Sequence, residues 1–157
     1  MSAFESLGIR RLVKEMKTLI TRIDPSARKW WVVDLDGQRP GRVATRVAQL
    51  LRGKNKTIFA PQVDNGDNVI AINAARMAVG PKKAVGKKYY HYSGYPGGLK
   101  ITTLGQMMAT RPDRVFTMAV RRMLPKNRLA RKQFKKLHVY AGPQHPHAAQ
   151  KPEKFEL

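Results

Sequence analysis

Cysteine is absent from the 157 residues. Its absence excludes a disulfide scaffold, a thiolate zinc site, an iron–sulfur centre and a Cys nucleophile, and fits a reducing compartment. Acids are almost as scarce: ten Asp and Glu stand against 31 Lys and Arg, a formal net charge of +21. No apolar run approaches the roughly 18–20 residues of a membrane span. No apolar stretch near the start resembles a secretory signal, so neither membrane insertion nor secretion is expected. Hydrophobic residues make up 42% of the chain, too many for wholesale disorder. The length suits one domain, and a domain of this size buries roughly 68–70% of its unfolded surface.

The shortage of acids also removes most catalytic templates. General acid–base work needs carboxylates that converge on one substrate. Here Asp34 and Asp36, and Asp64 and Asp67, flank turns, where Asp serves backbone hydrogen bonding. Gly80-x5-Gly86-Lys87-Lys88 only mimics a phosphate loop, which needs four intervening residues and Ser or Thr after its Lys. His145-Pro146-His147 lacks a third ligand, and Pro146 keeps the two imidazoles off one helix face, so no metal is expected. Ser93 and His91 have no acid partner for a triad. No cofactor and no small-molecule substrate is expected.

Positive charge is what the chain does have. Self-repulsion at this level destabilises a compact state unless anions neutralise it, so a polyanionic partner is expected: nucleic acid or an anionic membrane surface. The elements can be read around that charge. Ile9, Leu12, Val13, Met16 and Ile20 recur at helical spacing between basic residues, which predicts a short amphipathic basic arm; a transit peptide is the other reading of this segment. Trp30–Val33 is a strand candidate closed by Asp36-Gly37. Gly41–Arg52 reads as a helix with Val43, Ala44, Val47, Ala48, Leu50 and Leu51 on one half and Gly53 just past its end. Asn68–Asn73 is a second strand and Lys87–Tyr92 a third. Strand–helix–strand with a continuously apolar second strand predicts a βαβ unit in a parallel sheet. Thr102 or Thr103 caps a helix through Ala109. Pro112 opens the next helix, with Phe116, Ala119, Val120, Met123 and Leu124 facing the core. A last helix spans about Asn127–Leu137, followed by a short strand, His138–Tyr140, and an extended tail from Gly142.

Two constellations suit phosphate. Residues 121–136 contain Arg121, Arg122, Lys126, Arg128, Arg131, Lys132, Lys135 and Lys136 and no acid. On a helical wheel Arg128, Arg131, Lys132, Lys135 and Lys136 share one face, opposite Ala130, Phe134 and Leu137. Solvated helix faces normally mix both signs, so this stripe predicts phosphate contact. The second constellation sets Lys82, Lys83, Lys87, Lys88 and Lys100 around Tyr89, Tyr90, Tyr92 and Tyr95. Tyrosines stack on unpaired bases or pack as strand residues, and the Ser93–Gly98 loop has bare backbone that can approach a phosphate.

At WWVVDLDGQRPGRVATRVAQLLRGKNK, VDNGDNVIAIN, YYHYSGYPGGLK and MLPKNRLARKQFKKLHVYAGPQHPHAAQ, the chain resembles the bacterial-type family of large-subunit ribosomal protein L-thirteen. The resemblance runs from about Met16 to Pro152. It departs at Arg122 and Ala130, where the family usually has Gly, and at His91-Tyr92, where it usually has Arg-His. Met16-Lys17-Thr18 matches the family's opening, which makes residues 1–15 an extension and 16–157 the domain. The resemblance implies a three-layer α/β/α fold around a four-stranded, mainly parallel sheet. It also implies binding to large-subunit ribosomal RNA early in assembly, beside neighbouring ribosomal proteins. It implies residence in a ribosome, cytoplasmic or organellar, and no catalysis.

On this reading the RNA-facing residues are Arg42, Arg46, Lys54 and Lys56; Lys87, Lys88, Tyr92, Ser93, Gly94, Tyr95, Gly97, Gly98 and Lys100; Arg121, Arg122, Lys126, Asn127, Arg128, Arg131, Lys132, Lys135 and Lys136; and the loop histidines His145 and His147. Two other classes compete. A nucleic-acid enzyme would need a convergent acid or metal cluster. A membrane-surface or DNA-compacting protein would not need the specific loop motifs.

Overall fold

The computed structural model describes residues 28–156. The basic arm and the extension over residues 1–15 lie outside the described residues. The central sheet has strand order β5-β2-β1-β6, with β1 at Trp30–Asp34, β2 at Asn68–Ile72, β5 at Leu137–Val139 and β6 at Glu153–Lys154. All three pairings are parallel. Parallel neighbours need long crossovers, and α1, Pro40–Arg52, supplies the one between β1 and β2. The mixed α/β arrangement is consistent with the three-layer expectation.

The reasons for α1 are local. Pro40 sits in its first turn, Val43, Ala44, Val47, Ala48, Leu50 and Leu51 are buried, and Gly53 ends it at φ 76°. The Gly53 and Lys54 amides donate to the Leu50 and Gln49 carbonyls at 3.0 Å each. A side chain at Gly66 would strike the Leu51 carbonyl oxygen, 1.7 Å from its Cβ, so only glycine lets the 64–67 turn lie against this helix end. The chain then runs through α2 (Pro81–Gly86), β3 (Lys88–Tyr92), β4 (Leu99–Thr103), α3 (Leu104–Thr110), α4 (Pro112–Met123) and α5 (Arg128–Phe134). Thr103 is the cap that starts α3: its side chain accepts from the Gln106 amide while the Gln106 side chain accepts from the Thr103 amide.

The core joins Val33, Leu35, Val69 and Ala71 of the sheet region to the buried faces of α1 and α4, including Phe116 and Val120. Burial of this apolar surface is the main favourable term in folding. Ile70, also fully buried, sits in the Val32–Ile70–His138 row, on the opposite face by strand alternation.

Two expectations about strands need correction. The strand expected at Lys87–Tyr92 forms over Lys88–Tyr92, but it lies outside the main sheet and pairs antiparallel with β4 as a separate hairpin. The six-residue loop Ser93–Gly98 returns the chain directly, and such a short connection permits only an antiparallel partner. The fourth place in the sheet is taken by the tail. Glu153–Lys154 lies parallel to β1, and the Phe155 amide donates to the Val32 carbonyl at 2.8 Å.

Candidate nucleic-acid interface

Three exposed basic regions frame the candidate interface. On α1, Arg42 and Arg46 face outward, and Lys54 follows beyond the helix end, also exposed. At the end of α4 and through α5, Arg121, Arg122, Lys126, Arg128, Arg131, Lys132 and Lys135 are all exposed. Asn127 opens α5 as its cap, its Oδ1 accepting from the Ala130 amide at 2.7 Å. In the hairpin, Lys87, Lys88, Tyr92, Ser93, Gly94, Tyr95, Gly97 and Lys100 are exposed and Gly98 is half-buried. Among the described residues, no ion pair involves any cation of these three regions.

The hairpin and the α4 end meet through one ring. Tyr89 is buried, with Lys87 Nζ 5.4 Å from its ring centre and the Arg122 guanidinium 5.5 Å from it. Cations over an aromatic face are held by its quadrupole, so these contacts fix the hairpin base beside the basic run.

Two predicted lysines are elsewhere. Lys136 does not share the α5 stripe. It is 7% exposed, and its Nζ donates to Asp64 Oδ1 at 2.6 Å and to the Gly66 carbonyl at 2.9 Å. The reason is geometric: α5 ends at Phe134, so wheel periodicity no longer applies at position 136. Burial pulls the Lys136 ammonium below its usual pKa, against the opposing pull of Asp64. Lys56 is also turned inward, its Nζ 2.5 Å from Asp67 Oδ1. Asp67 is fully buried and also accepts from the Lys29 amide at 3.1 Å and from Trp31 Nε1 at 3.2 Å. Asp64 and Asp67 thus do more than shape a turn: they are the buried anions of an internal lattice. Their signal in the sequence was scarcity, since an acid kept in so basic a chain must meet cations.

His145 and His147 are half-buried. His147 packs 5.4 Å from Trp30 and 4.7 Å from His138, ring centre to ring centre, and its Nε2 is 2.9 Å from the Tyr140 hydroxyl. Burial, and then the neighbouring His147, lowers the pKa of His138. This cluster seats the tail on the sheet. Among the described residues no group of three or more His, Asp or Glu is placed to hold a metal, and no helix is long and apolar enough to cross a membrane.

The chain is similar to known proteins over most of its length. A family model described as Ribosomal protein L13 matches residues 28–146. The large ribosomal subunit protein uL13 of Symbiobacterium thermophilum is 54% identical over 141 residues, covering 90% of this chain and 99% of that protein. The protein of the same name from Aquifex aeolicus is 52% identical over 142 residues, with 90% and 99% covered. That from Thermotoga maritima is 52% identical over 141 residues, with 90% and 95% covered.

Proposed function

Because this chain belongs to the ribosomal protein L13 family, a structural constituent of the large ribosomal subunit, we propose that it binds large-subunit ribosomal RNA directly and supports early assembly of that subunit. It does so as a scaffold without catalysis, in the cytoplasmic ribosome and among neighbouring ribosomal proteins. The observation that carries this reading is the exposed face of α5. Arg128, Arg131, Lys132 and Lys135 stand in solvent with no ion pair among the described residues, and neutralising phosphates is what such a face can do. The same reading extends to the α1 arginines, the end of α4 and the hairpin. His145 and His147 contribute by ordering the tail.

The test is reconstitution. Purified protein is mixed with protein-free large-subunit RNA and run on a sucrose gradient; co-sedimentation at near-stoichiometric amounts is expected. Protein that stays at the top of the gradient in moderate salt would overturn the reading. A chain beginning at Met16 should enter large subunits as the full chain does. Its exclusion would mean that residues 1–15 take part in binding.

A further inference from the structure

The hairpin presents two unlike faces. In its register Tyr90 pairs with Ile101 and Tyr92 with Leu99, and directly opposed residues lie on the same face. All four are exposed, by 64%, 53%, 60% and 53% in that order. The other face carries Tyr89, anchored between Lys87 and Arg122 as described above. The hairpin is therefore fixed by one face, while the other is an aromatic and aliphatic strip open to solvent. Its tip is closed by the Ser93 amide donating to the Gly98 carbonyl at 3.2 Å and the Gly98 amide donating to the Tyr95 carbonyl at 2.9 Å. Tyr95, three-quarters exposed, extends the strip at the tip.

Charge decides what covers the strip. Between Asp67 and Asp113 the sequence holds no carboxylate, whereas Lys88, opposite Thr103, lies on the strip's own face, and Lys100, opposite His91, and Lys87, over Tyr89, lie on the other. An apolar strip with one ammonium group on its own face, others on the face behind it and no carboxylate in the surrounding sequence complements a partner whose flat apolar faces are strung on anions. We propose that the outer face of the hairpin is a stacking platform for unpaired RNA nucleotides, with Tyr90 and Tyr92 as the stacking rings. The proposal rests on the RNA-binding reading above and adds to it a second mode of contact: bases here, phosphates at α5. Residues two apart on a strand are separated by about 6.6–6.8 Å, about twice the 3.4 Å rise between stacked bases. One base fits between two such rings, and an extended strand fits across them. Aromatic rings on a sheet surface serve unpaired RNA in this way.

The test compares Tyr90→Leu/Tyr92→Leu, which keeps apolar area and removes the π faces, with Tyr90→Phe/Tyr92→Phe, which keeps both. Binding to protein-free large-subunit RNA is measured by filter retention over a salt series, and folding by circular dichroism. The Leu pair should bind more weakly, by about 5- to 150-fold for each base that loses its platform. The Phe pair should bind like the parent, and all three proteins should share one salt slope. Irradiation of the parent complex should cross-link RNA to the peptide carrying Tyr90 and Tyr92, a readout independent of any variant. Wild-type affinity in the Leu pair, or a cross-linked complex lacking that peptide, would overturn the proposal. Wild-type RNA affinity with poor entry into subunits would overturn it in favour of a neighbouring protein as occupant. A reduced salt slope in the Leu pair would replace stacking by phosphate contact. Failure of the parent protein itself to bind the RNA would instead defeat the broader reading.

Discussion

Lys136 and Asp64 form an ion pair in which both side chains are nearly sealed from water, 8% and 11% exposed. Removing one partner of such a pair strands the other charge and typically costs about 3–5 kcal/mol. Arg28 Nη2, 3.6 Å from Asp64 Oδ2, leaves that carboxylate a second cation, so Lys136→Met should lower stability in urea unfolding by less than that amount. Its RNA salt slope should be unchanged, because the ammonium does not reach the surface. His138 makes the converse statement about pH. Its folded pKa is lowered by burial and then by His147, so the unfolded chain takes up the proton first. Its neutral form is native, and stability falls as pH drops below about 6.5, the unfolded value, and on through the lower folded value. Between pH 7 and 5.5 the thermal midpoint should drop in the parent. It should drop less in His138→Phe, which keeps a ring beside Trp30.

At the scale of elements, α5 separates charge from packing. Arg128, Arg131, Lys132 and Lys135 are exposed, Ala130 and Gln133 are buried, and Phe134 is only partly buried against the core. Changing the four cations to Gln retains helix propensity and should leave the circular dichroism spectrum unchanged. RNA affinity should fall, and the salt slope should shrink by up to about four units if each cation meets a phosphate. An unchanged slope would show that the face is simply solvated. The elements most legible in the sequence were α1, whose apolar half is buried throughout, and α4, where Phe116 and Val120 are buried as expected but Met123, expected to face the core, is 41% exposed at the last residue of the helix. The candidate surface on α5 and the hairpin was legible as basic runs without acids. Three features were not. The partner of β3 is invisible because alternation shows that a strand has two faces and never which strand lies beside it. Glu153–Lys154 carries no strand pattern, being two polar residues placed by the sheet edge they meet. Lys136 was misplaced because its side-chain direction depends on where α5 stops, and helix ends are the least certain part of a pattern.

For the whole molecule, the +21 charge sets how binding responds to solution conditions. If six to ten phosphates are neutralised, affinity for large-subunit RNA should fall by about 10³–10⁵ between 50 and 200 mM salt. A filter-binding series measures this directly, and a flat response would exclude phosphate contact as the main source of affinity. Anions should in turn favour the compact state by relieving self-repulsion.

The sheet also fixes an order of events in time. β1 is an interior strand whose outer neighbour, β6, comes from the tail, and the Lys29–Glu153 ion pair at that seam joins residues 124 positions apart. At about 5–20 residues per second, a newly made β1 waits roughly 6–25 s before its neighbour exists at all. Throughout that interval one side of the strand offers unpaired amides and carbonyls, which are templates for association with other chains. Birth of this protein thus contains a built-in vulnerable period. It closes only when Glu153–Phe155 arrive, whatever the speed at which the helices form.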